Sequence, residues 1–347
     1  MKKLKIGNLI PKIPLVQGGM AVGISLDNLA SSVANEGGIG VIGTAGIGLV
    51  KNDDNSLKSN IEALKYYIQK TKEKTKGIFG VNIMVALNNY EKYVQTAIEE
   101  GAKIIFSGAG LPLSLPELNK EKKAKLVPIV SSVKAAQVIL KRWMKKYNYI
   151  PDAYVVESSE AGGHLGFKKD KLNDSKNSTL NLAKELVGFR DELYAEKQIY
   201  IPIIAAGGIN NKKIAKQLFD QGVDGIQVGS AFIPTEECDA DIKFKNKFIE
   251  ATTDDIGILN SPVGLPGRAI KTKFFDLIKS GKAKPKTCNY QCIKTCNFKN
   301  VEFCIAQALY NSVRGDVDNG VVFSGKKGPD TNSIKSVKQI IKNIMDF

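Results

Sequence analysis

The chain has 347 residues, 43% of them hydrophobic, with a mean hydropathy of −0.13, which suits a globular protein with one large domain or two ordinary ones. Its net charge of +15 comes from lysine rather than arginine: only Arg142, Arg190, Arg268 and Arg314 are present, and none clusters with another. The lysines are interleaved with acids as on a solvated surface, which argues against a nucleic-acid reader. No window approaches the roughly 18 unbroken apolar residues of a membrane span. Pro11 and Pro14 interrupt the basic N-terminal stretch before a signal-like core forms, so the protein is expected in the cytoplasm, away from membranes.

Short β-rich runs recur in chain order at Pro14–Gln17, Ile39–Ile42, Ile78–Met84, Lys103–Phe106, Val127–Val130, Ala153–Val156, Pro202–Ala205 and Gly225–Val228. Most are apolar throughout rather than alternating, as expected of parallel strands buried on both faces. Helical patterns fall between and after them at Leu26–Asn35, Leu57–Thr75, Tyr90–Glu100, Val133–Lys146, Leu180–Ala195, Lys212–Gln221 and Ala240–Ala251, with a weaker link at Leu113–Lys122. Turn signals such as Glu36-Gly37-Gly38 and Gln221-Gly222 separate helix from strand. Eight strands alternating with helices predict a (β/α)₈ TIM barrel of the α/β class. An open Rossmann-like sheet is the weaker alternative, because its glycine fingerprint belongs after the first strand and the glycines here follow the last two.

The barrel is expected over residues 1–252. Residues 253–347 are expected as a C-terminal extension packed on it, helical around Phe274–Lys279, Val301–Arg314 and Ser333–Met345.

Chemistry in such a barrel belongs to the loops after the strands, with phosphate often held after strands seven and eight. Ala206-Gly207-Gly208-Ile209 and Gly229-Ser230-Ala231 occupy those two places. Their glycines let backbone amides approach an anion closely. After the first strand, Gln17-Gly18-Gly19-Met20-Ala21 offers a backbone without Cβ atoms against which a flat ring can lie. Asn82 and Gln227 add amides at the ends of strands three and eight, and Ser107-Gly108-Ala109-Gly110 opens another small-residue loop. The only histidine, His164, follows Glu160-Ala161-Gly162-Gly163 directly after strand six. That position makes it the candidate catalytic acid or base.

Gln-Gly-Gly-Met at 17–20, Gly-Val-Asn-Ile-Met at 80–84, Ser-Gly-Ala-Gly at 107–110, Glu-Ala-Gly-Gly-His at 160–164, Ile-Ala-Ala-Gly-Gly-Ile at 204–209 and Gln-Val-Gly-Ser at 227–230 together resemble the nitronate monooxygenase family, formerly called 2-nitropropane dioxygenases. The resemblance runs from about residue 8 to residue 275. It extends to flavin-dependent enoyl-acyl-carrier-protein reductases and some quinone reductases of the same superfamily. The later stretches Thr235–Ala240 and Ser261–Ile270 lean toward nitronate monooxygenases.

The resemblance implies FMN, its phosphate on Gly207, Gly208, Gly229 and Ser230 and its ring near Gly19, Met20 and Asn82. Ala21, Gly162, Gly163 and Gln227 complete the candidate cofactor set, and His164 faces the substrate. Ser230-Ala231 departs from the family pattern, since many members carry a Thr-Arg pair there; the departure removes a charge near the strand-eight loop. The implied reaction is oxidation of a small-molecule nitronate by oxygen. The alternatives are reduction of an enoyl thioester by NAD(P)H, with an acidic acyl carrier protein as partner, quinone reduction, and a non-enzymatic flavin-binding module. Oligomeric state stays open, a homodimer included.

Cys288, Cys292, Cys296 and Cys304 crowd into seventeen residues. Their spacing suits a zinc ion or an iron–sulfur cluster, although it lacks the usual pair of C-x₂-C knuckles. The competing expectation is a buried helical stripe, because 288, 292 and 296 are spaced i, i+4, i+8.

Overall fold

The computed structural model describes residues 3–328 and 330–347, so the first two residues of the expected barrel segment lie outside the description. Eight parallel strands close a barrel: β1 (Leu15–Gln17), β2 (Ile39–Gly43), β3 (Ile78–Met84), β4 (Ile104–Gly108), β5 (Lys125–Val130), β6 (Tyr154–Glu157), and, after a two-residue strand β7 (Gly163–His164), β8 (Ile203–Ala206) and β9 (Gly225–Val228). β1 pairs with both β2 and β9, with Val16 opposite Ile39 and Gln227, and this closes the ring.

Apolar runs appear because each strand buries both faces. Val16, Val41, Ile104, Phe106, Val127, Val155 and Ile204 fill the barrel interior, while their neighbours Ile42, Ile105, Leu126 and Val156 face the helices. Leu4 and Ile6 join the interior cluster and are fully buried, so the segment before β1 plugs one end of the barrel.

Helices α1 (Asp27–Asn35), α2 (Ile47–Asn52), α3 (Leu57–Lys74), α4 (Tyr90–Glu99), α5 (Val133–Tyr147), α6 (Thr179–Lys197) and α7 (Lys212–Asp220) follow the strands. The weak link between β4 and β5 is a single 3₁₀ turn, Leu115–Leu118. Side-chain oxygens of Ser56, Ser132, Ser178 and Asn211 cap the starts of α3, α5, α6 and α7.

α8 (Ile242–Glu250) does not complete this ring. It buries Phe244 and Phe248 against Ile24, Ile233, Ile270 and Val313 instead. After β10 (Ile256–Asn260), β11 (Pro266–Ile270), α9 (Lys273–Lys279), α10 (Ile305–Val313) and β12 (Val322–Phe323), the helix α11 (Val337–Met345) packs on α7 and α1. It places Val337, Ile340, Ile341, Ile344 and Met345 in the main core. The later stretch thus provides the helix that fills the gap between α7 and α1.

The later stretch also builds an antiparallel sheet that sequence periodicity did not indicate. β11 pairs with β10 on one edge and with β12 and β7 on the other. Among the described residues, no helix is long and apolar enough to cross a membrane.

Candidate active site

The loops after the barrel strands are knitted to each other before they line anything. Gln17 is fully buried, and its Oε1 accepts the Val41 N–H at 2.9 Å; Gly18 N–H donates to the Val228 carbonyl at 2.8 Å. Gly19 passes so close to β3 that an added Cβ would overlap Asn82 Cβ and approach Val41 Cγ1 to 2.9 Å. Gly207 has φ of +105°, and a Cβ there would collide with Ser158 Oγ and the Ala161 amide. Both positions require glycine for steric reasons.

One cavity of about 840 Å³ opens above these loops. It gathers Gly19, Met20, Ala21, Asn82, Gly162, Gly163, His164, Gly207, Gly208, Gln227, Gly229 and Ser230, every residue that the sequence proposed for cofactor and catalysis. Gly108, Ala109 and Gly110 line it too. Ser107 does not: it is fully buried, and its Oγ bonds the Tyr90 hydroxyl at 2.8 Å and the Ile83 carbonyl at 3.0 Å.

His164 is held from outside the barrel. As part of β7 it pairs with Gly267 of β11, and its Nε2 lies 2.7 Å from Ser261 Oγ in the β10–β11 connection. Phe323 of β12 packs edge-on against the ring, with centroids 5.0 Å apart. Burial pulls the imidazole pKa down to about 4, so the ring is neutral at pH 7. The neutral ring accepts the Ser261 proton at Nε2 or donates to its oxygen, according to tautomer.

The same loop is clamped by Arg268, only 4% exposed, whose Nη1 donates to the carbonyls of Ser159 and Ala161, the latter at 2.8 Å. Burial lowers the guanidinium pKa, and the neighbouring charge of Glu160 offsets part of that. The Glu160 carboxylate in turn accepts the Thr179 N–H at 3.1 Å and lies 2.9 Å from Thr179 Oγ1 at the start of α6. Thr179 Oγ1 also sits 2.7 Å from the Gly207 carbonyl, which ties the histidine loop to the glycine loop after β8.

Several lining residues were not found from sequence. Glu157, the last residue of β6, faces the cavity, and burial raises its carboxyl to about 7. Its one visible signal is an acid ending an otherwise apolar strand. Lys168, Lys171 and Lys176, on the excursion between β7 and α6, line the mouth together with Asp174. The strap at 324–328 crosses back over the site: Gly325 N–H donates to Ser230 Oγ at 2.8 Å and Lys326 N–H to the Glu160 carbonyl at 3.0 Å. Gly325, Lys327 and Gly328 of this strap line the cavity, and nothing in their sequence points there.

The expected metal site at Cys288, Cys292, Cys296 and Cys304 is corrected. All four thiols are free, and among the described residues no group of three or more His, Cys, Asp or Glu could hold a metal ion. Residues 288–296 form no helix, so the helical stripe fails as well. The segment is instead tied along the loop after β3: Ile293 bridges Leu87, and the Cys292 carbonyl accepts the Asn88 N–H at 3.1 Å. Burial pushes the Cys292 thiol up to about 12, and the neighbouring Cys304, Cys296 and Cys288 add to the rise.

Comparison with known proteins agrees with this geometry. A chain from Staphylococcus saprophyticus described as a probable nitronate monooxygenase is 24% identical over 294 residues, which are 77% of this chain and 78% of that one. The structure of FabK from Thermotoga maritima superposes with a TM-score of 0.75 at 26% identity, covering 97% of this chain and 92% of that one. A nitroalkane oxidase from Streptomyces ansochromogenes shares the fold, with a TM-score of 0.72 at 16% identity over 96% of this chain and 94% of that one. The nitronate monooxygenase family pattern matches residues 2–346, nearly the whole length, and the chain therefore belongs to the nitronate monooxygenase family of oxidoreductases.

Proposed function

We propose that the chain is an FMN-dependent enzyme that oxidises alkyl nitronates with oxygen. The observation that carries this reading is His164: a neutral imidazole with its Nε2 on Ser261, in the cavity lined by the glycine loops after β1, β8 and β9. The cavity suits such a cofactor in size, falling near the top of the roughly 300–1,000 Å³ range of small-molecule sites. The glycine loops suit it in shape: a Cβ on Gly229 would meet only Met20 Sδ, at 3.6 Å, which leaves backbone open to a phosphate. In this reading Gly207, Gly208, Gly229 and Ser230 hold the phosphate. Gly19, Met20, Ala21 and Asn82 support the ring, with Gln227, Gly162 and Gly163 around it. When bound, FMN supplies the redox chemistry and the route to oxygen.

The residues of the chain handle charge and protons. A neutral His164 can take the proton from the carbon beside the nitro group of a neutral nitroalkane, which leaves the nitronate, and the imidazolium so formed would sit against that anion. A nitronate supplied as such needs no proton removed, and His164 then serves to orient it. Ser261, Phe323 and the β7–β11 pairing fix the ring for that step.

A second reading, reduction of an enoyl thioester by NAD(P)H, is supported by Lys168, Lys171 and Lys176 at the mouth, a rim suited to an acidic carrier. The FabK likeness points the same way. The deciding experiment mixes flavin-loaded protein anaerobically with ethyl nitronate, and separately with NADH or NADPH. Bleaching by the nitronate alone, reversed by oxygen, supports the first reading. Bleaching only by a pyridine nucleotide, reversed by a crotonyl thioester, replaces it with the second.

A further inference from the structure

The loop after β9, Gly229-Ser230-Ala231, carries no cation of its own. The fold brings one to the same cavity from almost a hundred residues further along the chain. Ser230 Oγ accepts the Gly325 N–H at 2.8 Å, and the strap runs on through Lys327 and Gly328, both of which line the same cavity as Gly208, Gly229 and Ser230.

The strap is tightly seated. A Cβ on Gly162 would approach the Gly325 amide to 2.5 Å, and a Cβ on Gly328 would approach Ser230 Cβ to 3.2 Å. Ser324 N–H donates to the Arg268 carbonyl and Lys326 N–H to the Glu160 carbonyl, so the strap rests on the two residues that hold the histidine loop. The nearby carboxylates are engaged elsewhere: Glu160 with Thr179, and Asp330 with Asn210. Among the described residues, no carboxylate forms an ion pair with Lys327. A lysine lining a cavity rich in glycine backbone, with no acid paired to it, is suited to an anion as a point charge.

We infer that Lys327 is the cation for the phosphate of the cofactor, delivered by the strap to a loop that carries no charge of its own. This rests on the FMN reading above and adds a residue to it. A lysine in this role acts on the phosphate and not on the ring, so it separates FMN from riboflavin, which has the same ring and ribityl chain without the phosphate. It also makes FMN affinity salt-dependent and riboflavin affinity not.

The test measures dissociation constants of FMN and riboflavin for the full-length apoprotein by quenching of flavin fluorescence, at low and high salt. Lys327→Gln is compared with Lys326→Gln, which changes the neighbouring lysine outside the cavity, and with Lys327→Arg. The expected result is about tenfold weaker FMN binding by Lys327→Gln, with riboflavin unchanged, a flatter salt dependence, no effect of Lys326→Gln, and recovery by Lys327→Arg. Equal weakening of FMN and riboflavin, or equal effects of the two glutamine variants, would overturn the inference and leave the FMN reading standing. A wild-type protein that binds FMN no better than riboflavin would overturn the phosphate pocket itself, and the role of Lys327 with it.

Discussion

His164 and Ser261 lie 97 positions apart in the chain and share a 2.7 Å contact between Nε2 and Oγ. Ser261 also accepts the Val263 N–H at 3.3 Å, so the serine is fixed by its own turn before it meets the histidine. His164→Ala is expected to keep the flavin spectrum and slow the substrate half-reaction by about 10²–10⁴-fold, the range of general acid–base assistance. Ser261→Ala should cost about tenfold, the worth of one ordinary hydrogen bond. Stopped-flow reduction checks both; near-wild-type rates for His164→Ala would remove its proposed role.

Glu157 and His164 share the cavity with their usual order of acidity reversed, the carboxyl near 7 and the imidazole near 4. For His164 the unfolded chain binds a proton that the folded one does not between about pH 6.5 and 4, so its contribution to stability falls as pH falls. For Glu157 the folded chain keeps a proton that the unfolded one has lost between about pH 4.5 and 7, so its contribution falls as pH rises. The two slopes oppose each other in the wild type. Urea denaturation of the flavin-free protein should show Glu157→Gln gaining stability relative to wild type as pH rises through that window and His164→Asn losing it. Parallel profiles for the two variants would contradict the assigned shifts.

Arg268→Met is expected to lower stability by about 2–4 kcal/mol, because the Ser159 and Ala161 carbonyls lose their buried donor. Arg268→Lys should recover little, since an ammonium point charge does not reproduce the planar guanidinium fork. Urea midpoints of the two variants against wild type measure this. A Lys variant as stable as wild type would mean that charge alone suffices.

Ile341, 5% exposed on α11, is expected to cost about 2–5 kcal/mol on substitution by alanine. Lys338→Ala, on the exposed side of the same helix, should change little. If Ile341→Ala were as mild as Lys338→Ala, α11 would be an accessory rather than part of the helical ring.

The barrel was legible because parallel strands buried on both faces leave continuous apolar runs, and each of the eight runs overlaps an observed strand. The glycine loops and His164 were legible because close backbone approach and neutral-pH proton chemistry restrict the choice of residue. What was missed depends on contacts made at long range. β7 and β12 are two residues each, too short to show a period, and their register exists only against β11. Ser261 reaches His164 from the β10–β11 connection, and Arg268 reaches the histidine loop from β11, about a hundred residues further along the chain. α8 and α11 are both short amphipathic helices, and only packing decides which one joins the ring. The cysteine spacing fitted a metal or a helix, and the bridge between Leu87 and Ile293 imposes neither.

The position of α11 bears on how the chain emerges during synthesis. All eight barrel strands are complete by Val228, yet the helix that covers the apolar seam between α7 and α1 begins at Val337, more than a hundred residues later. At about 5–20 residues per second, the nascent barrel waits roughly 5–20 s with that seam uncovered. During this interval the growing protein presents a sticky groove to its surroundings, and a chaperone that recognises apolar surface has its best opportunity to bind.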